Sequence, residues 1–401
     1  MHDTVQILPA ILLGGPEHAG KSVLLHQLTC ELRRRHIPHY PLRACPDGEG
    51  NWANEAEQTL VRAIRLKGRY TAEYIALVER DLRRRTLPLL VDIGGRPTEQ
   101  DRPLLRACTH AIILYREPSD LERWRAILED NGLKIIAEIH SDLHGTDKLV
   151  STEGVLRGTL SGLGRGQVVQ SFVLDALLER VTSIFAPYTA AVHAQHLAAL
   201  QGKDDWCMLV LDDLRAALGL TGEWWECNEL TAATQQVQTM LQPHEGLALY
   251  GVGPGWLYAA LAAATAPEHP WQQFDATLGW ITPPVVIVSE DKKRSMPWLT
   301  YSSAANGTPA VLHFMAAERL DYAGLSEVVV PKIAPEQGLI LSGRFPYWLL
   351  TAIVRAYVGQ VSWIAVAYPQ LSLPQQLRAV VVWSATWQPA IGSLLPVPEC
   401  A

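Results

Sequence analysis

Gly15-Pro16-Glu17-His18-Ala19-Gly20-Lys21-Ser22, set between the apolar run 7–13 and the helical Val23-Leu24-Leu25-His26-Gln27-Leu28, decides how the first half of this chain is read. The pattern is G-x-x-x-x-G-K-S. A loop with little side-chain bulk at a helix N-terminus lets backbone N–H groups ring a chain of phosphates, with Lys21 meeting the β/γ oxygens and Ser22 holding Mg²⁺. Gly15, Gly20, Lys21 and Ser22 are therefore the expected nucleotide-binding residues. Such a loop also needs an acid at the end of a neighbouring strand, to hold the metal directly or through water. Leu87-Pro88-Leu89-Leu90-Val91-Asp92 supplies one, so Ser22 and Asp92 are the expected magnesium pair. Asp92 to Gly95 also reads D-x-x-G, a pattern that senses a γ-phosphate; the alternative for Asp92 is a residue that merely ends a strand.

Outward from this loop, the apolar runs 87–93, 111–115 and 135–139 alternate with amphipathic stretches at 21–35, 55–67 and 70–85. That alternation predicts an α/β fold, a mostly parallel sheet covered by helices, and hence an N-terminal P-loop NTPase domain over residues 1–202. A long helical stretch at 168–201 reads as its connector helix. The loop 46–52 either offers Asp47 and Glu49 to a substrate or metal or is only a turn. Arg123 and Arg125 either clamp phosphate or form a solvated helix face, and Arg33-Arg34-Arg35 complements a helix dipole. Thr146-Asp147-Lys148 stands in the wrong order for a guanine-reading T-K-x-D, so ATP with Mg²⁺ is the expected pair, although the residues do not separate ATP from GTP.

The chain has 401 residues, enough for two or three domains, and 48% hydrophobic content, which excludes a disordered protein. Its 34 basic against 41 acidic residues provide no general basic field, so no long nucleic acid is expected as a partner. The deficit lies wholly beyond residue 202, where 10 Lys/Arg face 17 Asp/Glu and where 11 of the 13 tryptophans are found, so two differently composed units are joined. The six cysteines show no metal-ligand spacing and the N-terminus lacks a basic-then-apolar leader; free thiols and a cytoplasmic location are expected. Residues 246–267 are uncharged over about the length of a membrane span, but Gly251, Gly253, Pro254 and Gly255 break them, so strand, turn and helix is the reading and no membrane is expected.

That stretch recurs. Gly246-Leu-Ala-Leu-Tyr-Gly-Val-Gly-Pro-Gly-Trp256-Leu matches Gly338-Leu-Ile-Leu-Ser-Gly-Arg-Phe-Pro-Tyr-Trp348-Leu without a gap at an offset of 92 residues. The offset is domain-sized, so it predicts two tandem small Rossmann-like α/β domains, 203–290 and 291–401, packed as a pseudo-dimer. The charged run 290–295 reads as the linker between them, after a strand at 285–288. The alternative is two unrelated strand–turn–helix units.

Val311-Leu312-His313-Phe314, Glu327-Val-Val-Val-Pro331, the block Gly338 to Trp348, Ile364-Ala-Val-Ala-Tyr368-Pro369-Gln370-Leu371 and Ala379-Val-Val-Val382 resemble, in order and spacing, the CRISPR-associated Csx-three family. The resemblance covers most of residues 296–387. Members are small Rossmann-like domains that dimerise or stack around cyclic tetra-adenylate and cleave it with manganese-dependent activity; forms fused to a P-loop domain, here taken as AAA-like, are known. The resemblance thus implies a ring nuclease that switches off type III CRISPR signalling, acting as a homo-oligomer.

The family site uses a histidine after the shared helix and an aspartate in a Tyr-Asp-Pro-Arg-Leu-like block. In the C-terminal copy those positions hold Val358 or Gly359, Tyr368, and Gln370 in place of the arginine, so that copy resembles an inactive one. In the middle copy His269 follows the helix and Asp275 stands in the aspartate-like block Phe274-Asp275-Ala276. His269 and Asp275 are therefore the expected catalytic residues, with Ser342, Gly343 and Arg344 gripping phosphate. Cleaving the ring through its own 2′-hydroxyl needs a base, an acid and positive charge near the phosphorane. His269 can act as base or acid, Asp275 can orient it or bind a metal, and Arg344 offers a bidentate fork beside backbone N–H donors.

Each has an ordinary alternative: a loop histidine, an exposed strand-end acid, a structural fork. His313 reads as a packed or rim histidine, and Trp224, Trp225, Trp256, Trp280, Trp348 and Trp363 either stack bases or fill the core. Three readings follow: an ATP-modulated ring nuclease, a ring sensor that regulates its own NTPase or phosphotransfer activity, and a small-molecule kinase using Asp47 and Glu49.

Overall fold

A computed structural model of the chain describes residues 7–44, 71–95, 97–164, 166–167, 169–200, 205–222, 224–291, 294–302, 309–315, 320–368, 376–386 and 388–398. Asp47 and Glu49, the helical stretch 55–67, Lys292, Lys293 and Gln370 lie outside the described residues. The chain forms two compact units, one running to Ala198 and one from Ala199 onward, apart from the turn Ala276–Leu278, which clusters with the first.

The first unit is a three-layer α/β structure. Its strands are β1 (Ala10–Gly14), β2 (Tyr40–Arg43), β3 (Leu89–Asp92), β4 (His110–Tyr115), β5 (Lys134–Asp142), β6 (Lys148–Ser151) and β7 (Leu156–Ser161). They are ordered β2-β3-β1-β4-β5-β7-β6, and every described pairing except β6–β7 is parallel. Parallel strands need crossovers, supplied by α1 (Lys21–Arg34), α2 (Ala72–Arg84), α3 (Arg102–Ala107), α4 (Pro118–Asp130), α5 (Phe172–Phe185) and α6 (Thr189–Ala198). Strand β1 reads as an unbroken apolar run because it is covered on both faces. One cluster joins it to Leu24 and Leu28 of α1 and Leu174, Val181 and Phe185 of α5. The other joins it to Val78 and Leu82 of α2, Leu104 of α3 and Trp124 of α4.

The single helix expected at 168–201 is two helices. A 3-10 turn at Ala186–Tyr188 separates α5 from α6, and Pro187 within it lacks the N–H that a continuous helix would use.

The second unit holds β8 (Trp206–Val210), α7 (Leu211–Ala217), α8 (Leu230–Met240), β9 (Gly246–Tyr250), α9 (Gly255–Ala264), β10 (Trp271–Asp275) and β11 (Gly279–Ile281), then β12 (Val285–Ser289), β13 (Leu299–Ser302), β14 (Ala310–Phe314) and β15 (Glu327–Pro331), and finally β16 (Gly338–Gly343), α10 (Tyr347–Tyr357), β17 (Trp363–Ala367), β18 (Arg378–Ser384) and β19 (Leu394–Pro396). The first four strands form a sheet ordered β11-β10-β9-β8, and a larger one runs β13-β14-β16-β17-β18-β19. In the first only β11 is antiparallel to its neighbour, while in the second β14, β16 and β17 pair in parallel and the outer pairings are antiparallel. The uncharged stretch beginning at Gly246 is thus β9, a turn and α9, and no described helix is long and apolar enough to cross a membrane.

The repeat at an offset of 92 residues is realised as two helices packed side by side. Gly255 of α9 lies against the rings and side chains of its repeat counterpart Tyr347 and of Leu350, and further along Arg355 of α10 donates to the Ala262 carbonyl at 3.1 Å. The two helices therefore run in the same direction and in register.

Strand β12 pairs in parallel with β15, and Glu290 after it bonds Lys332 after β15 at 2.8 Å. The run expected as a linker thus starts directly at the end of a paired strand.

Both repeat strands begin with glycine for one steric reason. A β-carbon on Gly338 would lie 1.9 Å from the Trp363 ring, and one on Gly246 would lie 2.7 Å from the Trp206 ring. Gly338→Ala is expected to destabilise the protein by about 1–3 kcal/mol through overpacking, read from urea unfolding; an unchanged midpoint would show that Trp363 can move aside.

His39 is buried in the first unit, with Nδ1 at 2.8 Å from the Ile37 carbonyl and its ring stacked on Phe185. Burial pushes its pKa down to about 4, as it does for His196. The unfolded chain therefore binds protons first, so this contribution to stability is complete above pH ~6.5 and is lost as pH falls towards 4. Stability measured across that window should fall less steeply in His39→Gln than in the parent.

Candidate functional site

At the carboxyl ends of β1 and β3 the first unit gathers the expected nucleotide residues. Pairing in register sets Leu13 beside Asp92, so the acid stands next to the loop that leaves β1. Gly20 has φ +83°, which glycine adopts without strain, and turns the chain into α1. The loop is tightly held: a β-carbon on Gly15 would lie 2.2 Å from the Leu114 carbonyl oxygen. Lys21 is buried and its Nζ donates to the carbonyls of Gly15 and Pro16 at 2.9 and 2.8 Å. Ser22 Oγ donates to Asp92 Oδ2 at 2.7 Å.

The D-x-x-G glycine reaches the same loop, since a β-carbon on Gly95 would lie 2.4 Å from the Glu17 nitrogen. Gly15, Gly20, Lys21, Ser22 and Asp92 are therefore brought together. Arg43, which ends β2, sets Nη2 3.8 Å from the same Asp92 oxygen. Sequence reading did not single it out; a lone arginine closing a short apolar strand was the available signal.

These residues fit a magnesium nucleotide. Hydroxyl and carboxylate oxygens are the hard donors that Mg²⁺ takes, and a small-residue loop at a helix N-terminus with a lysine suits polyphosphate. Bound there, the metal would neutralise charge on the terminal phosphates.

The other basic and acidic candidates of this unit are structural. Arg125 is no phosphate clamp: with Arg157 it holds the buried Glu138, at 2.7 and 2.8 Å, because a carboxylate out of water needs both charges. Asp147 accepts from the Ser161 amide and hydroxyl, each at 2.7 Å. Arg34 and Arg35 pair with Glu31 and Glu179, and Arg123 is exposed.

In the second unit, ligands of an open parallel sheet are met at the carboxyl ends of its strands. Ser342 is buried at the end of β16, Gly343 follows with φ +106°, and the half-buried Arg344 leads into α10. Asp275 closes β10, and its charge reaches Tyr258 of α9, whose ring lies 5.0 Å from that of Tyr347. Burial, then Tyr347 and Asp275, push the Tyr258 hydroxyl's pKa up. Since α9 and α10 run side by side in one direction, Asp275 and Ser342–Arg344 share one edge of the unit. Tyr250 is there too, packed on Phe274 and Trp280, its pKa pushed up to about 12 by burial and then by Asp212. Asp212, an acid at the start of α7, was not singled out either.

His269 is not at that edge. It precedes β10, while Asp275 ends it, and a strand of five residues at ~3.3 Å per residue separates its ends by ~13 Å. Nδ1 of His269 lies 2.8 Å from the Glu245 carbonyl at the start of β9. Within one chain the two expected catalytic residues are therefore not brought together: they occupy opposite edges of one sheet. Facing a carbonyl, Nδ1 acts as the donor, and Nε2 is the ring nitrogen left for other partners.

Tyr368, at the position of the family aspartate, packs edge-on to Trp256. Trp225, Trp256 and Trp348 are buried, and Trp363 covers Gly338. His313 is half-buried on β14, and burial lowers its pKa. Among the described residues no group of three His, Cys, Asp or Glu side chains could hold a metal.

Residues 313–396 match the model of the family "CRISPR-associated protein (Cas_csx3)". No curated protein matches the chain. Among solved structures, chloroplast FtsY from Physcomitrella patens is similar at 13% identity and a TM-score of 0.27, over 43% of this chain and 65% of its own. The signal recognition particle 54 kDa protein from Aeropyrum pernix K1, in complex with GDP, is similar at 14% identity and a TM-score of 0.25, over 66% of this chain and 68% of its own. At these scores neither likeness extends to a shared overall fold.

Replacing Lys21 by alanine should weaken binding of a magnesium nucleotide by about 10–100-fold, the range for a lost charged hydrogen bond. Asp92→Asn should erase the difference between titrations with magnesium and with chelator. Calorimetry reads both, and wild-type affinity in Lys21→Ala would remove the loop from the site.

Proposed function

We propose that this protein binds cyclic tetra-adenylate and opens the ring, under the influence of ATP held by its P-loop unit. The observation that carries the reading is the family match over residues 313–396 on a unit whose two parallel helices start at one edge, beside Asp275 and Ser342–Arg344. Support for the nucleotide comes from the Lys21, Ser22 and Asp92 geometry.

The chemistry is an in-line transfer within the ring. The 2′-oxygen attacks the adjacent phosphorus, its proton passes to a base, and the bond from phosphorus to the 5′-oxygen breaks as an acid protonates that oxygen. The products are a 2′,3′-cyclic phosphate and a 5′-hydroxyl on a linear chain. Nε2 of His269 is suited to take or return the proton, and Arg344, with the N–H groups of the Gly343 turn, to spread the charge on phosphorus.

His269 and Asp275 lie at opposite edges, so they serve one site only when two molecules stack edge to edge. Each interface then combines the Asp275 and Arg344 edge of one molecule with the His269 edge of the next. Such stacking accords with the oligomers that the family resemblance implies, and it gives the tandem copies a division of labour. ATP enters as a second ligand: its binding shifts the affinity for the ring, and the ring shifts the affinity for ATP by the same factor.

A second reading, a sensor that binds the ring uncut, is favoured by Tyr368 at the aspartate position and by Val358 and Gly359 at that of the histidine. One assay separates the two. Purified protein is incubated with cyclic tetra-adenylate and manganese, with and without ATP, and the products are resolved by chromatography. Linear products are expected from the parent, with losses of about 10²–10⁴-fold in His269→Ala and in Asp275→Ala. Mixing the two variants should restore part of the activity, because an interface can then pair an intact Asp275 edge with an intact His269 edge. Binding without products would establish the sensor, and failure of the mixture to recover would sink the stacked site.

A further inference from the structure

The second unit carries a cavity that the proposed chemistry leaves unused. Its volume is about 300 Å³, at the small end of ligand sites. It opens on the His269 edge, walled by Pro267 and Trp271 beside the histidine loop, by Pro284 and Val286, and by Arg355 and Ala356 of α10. The walls are mostly prolines, alanines and valine, with Thr282 and Trp271, and Arg355 is their one charged residue among those described.

Arg355 has a structural task that does not exhaust it. Nη1 donates to the Ala262 carbonyl at 3.1 Å and to Thr265 Oγ1 at 3.0 Å, at the end of α9, and Nη2 donates to the His269 carbonyl at 2.7 Å. A guanidinium has five N–H donors in a fixed fork. Nε–H and the second Nη2 proton have no acceptor among the described residues. Cζ lies 6.0 Å from the centre of the Trp271 ring. All three acceptors are neutral, and no ion pair forms to Arg355 among the described residues. Glu268, which is exposed, is the acid whose field reaches it. Burial pulls the pKa of the guanidinium down to about 10, the mark of a cation whose charge is poorly compensated.

We infer that this cavity is a subsite for one nucleotide unit, with the phosphate on the open donors of Arg355 and the base against the proline rings at its mouth. The chemistry on both sides agrees. A planar fork with two adjacent donors matches a phosphate bidentately, and flat proline rings give a base an apolar surface to lie on. The ligand class rests on the ring-nuclease reading, in which a molecule stacked on this edge presents adenylate units to it. The cavity and its cation stand without that reading.

The test uses full-length Lys21→Ala protein, so that the P-loop does not compete, titrated calorimetrically with adenosine 5′-monophosphate and with adenosine. Saturable binding of the monophosphate is expected, with adenosine weaker by about tenfold or more. Ala356→Phe fills the cavity and leaves the three bonds of Arg355 in place; it should weaken the monophosphate by a similar factor, as should Arg355→Lys. Circular dichroism and the unfolding midpoint confirm that each variant is folded. No saturable binding, equal affinity for adenosine, or indifference to Ala356→Phe would overturn the subsite. Monophosphate binding that passes these controls in a protein that makes no ring products would sink the cleavage reading alone, and ring products without such binding would sink the subsite alone.

Discussion

Helix α9 buries every residue from Gly255 to Ala263, so it has no face to give to water. A helix that is apolar all round must be enclosed by other elements. In the second unit β17 and β18 lie against it and α8 and α10 flank it, and Gly255 lets α10 approach because a larger residue would press on Tyr347. Much else in the unit follows from that contact. It aligns the starts of two helices at one edge, and it makes the repeat a packed pair in which neither half could bury its helix alone.

A few polar groups bond across this contact. Gln273 on β10 is 1% exposed, and its Oε1 accepts from Thr351 of α10 at 2.7 Å and from the Trp271 indole at 3.1 Å. Arg355 reaches across in the same way to the end of α9 and to the His269 carbonyl. In a low-dielectric contact an unmet donor is costly, so such bonds fix one arrangement of the halves where apolar packing alone would allow several. The two edges of the second unit are thereby held in defined positions, with Asp275 and Arg344 on one and His269 and the Arg355 cavity on the other. That separation keeps Asp275 and His269 of one chain from meeting in a single site.

The first unit obeys a different constraint. There the backbone does most of the work: loop glycines sit against Leu114 and Leu163, and Gly95 lies on the loop itself. Asp92 is 3% exposed, and its charge is met by the Ser22 hydroxyl and by Arg43. Hydroxyl, carboxylate and lysine are pre-placed by strand register, so binding a nucleotide requires little ordering of these side chains.

The P-loop, the acid on its neighbouring strand, the mostly parallel sheet and the repeat were legible in the sequence because each is carried by local spacing: a motif between a strand and a helix, an apolar run ending in aspartate, glycine and tryptophan at matched intervals. Arg125 was open because a helix face does not say what it will meet, and only the fold supplied Glu138. Arg43 and Asp212 were missed because their meaning comes from strands distant in sequence. His269 and Asp275 are six positions apart, and sequence proximity made them a pair. An extended strand between them puts them at opposite edges, since β structure rises ~3.3 Å with each residue. Residue types and intervals thus determined which chemistry the chain can offer, while the directions of its strands and helices decided which of those groups can meet.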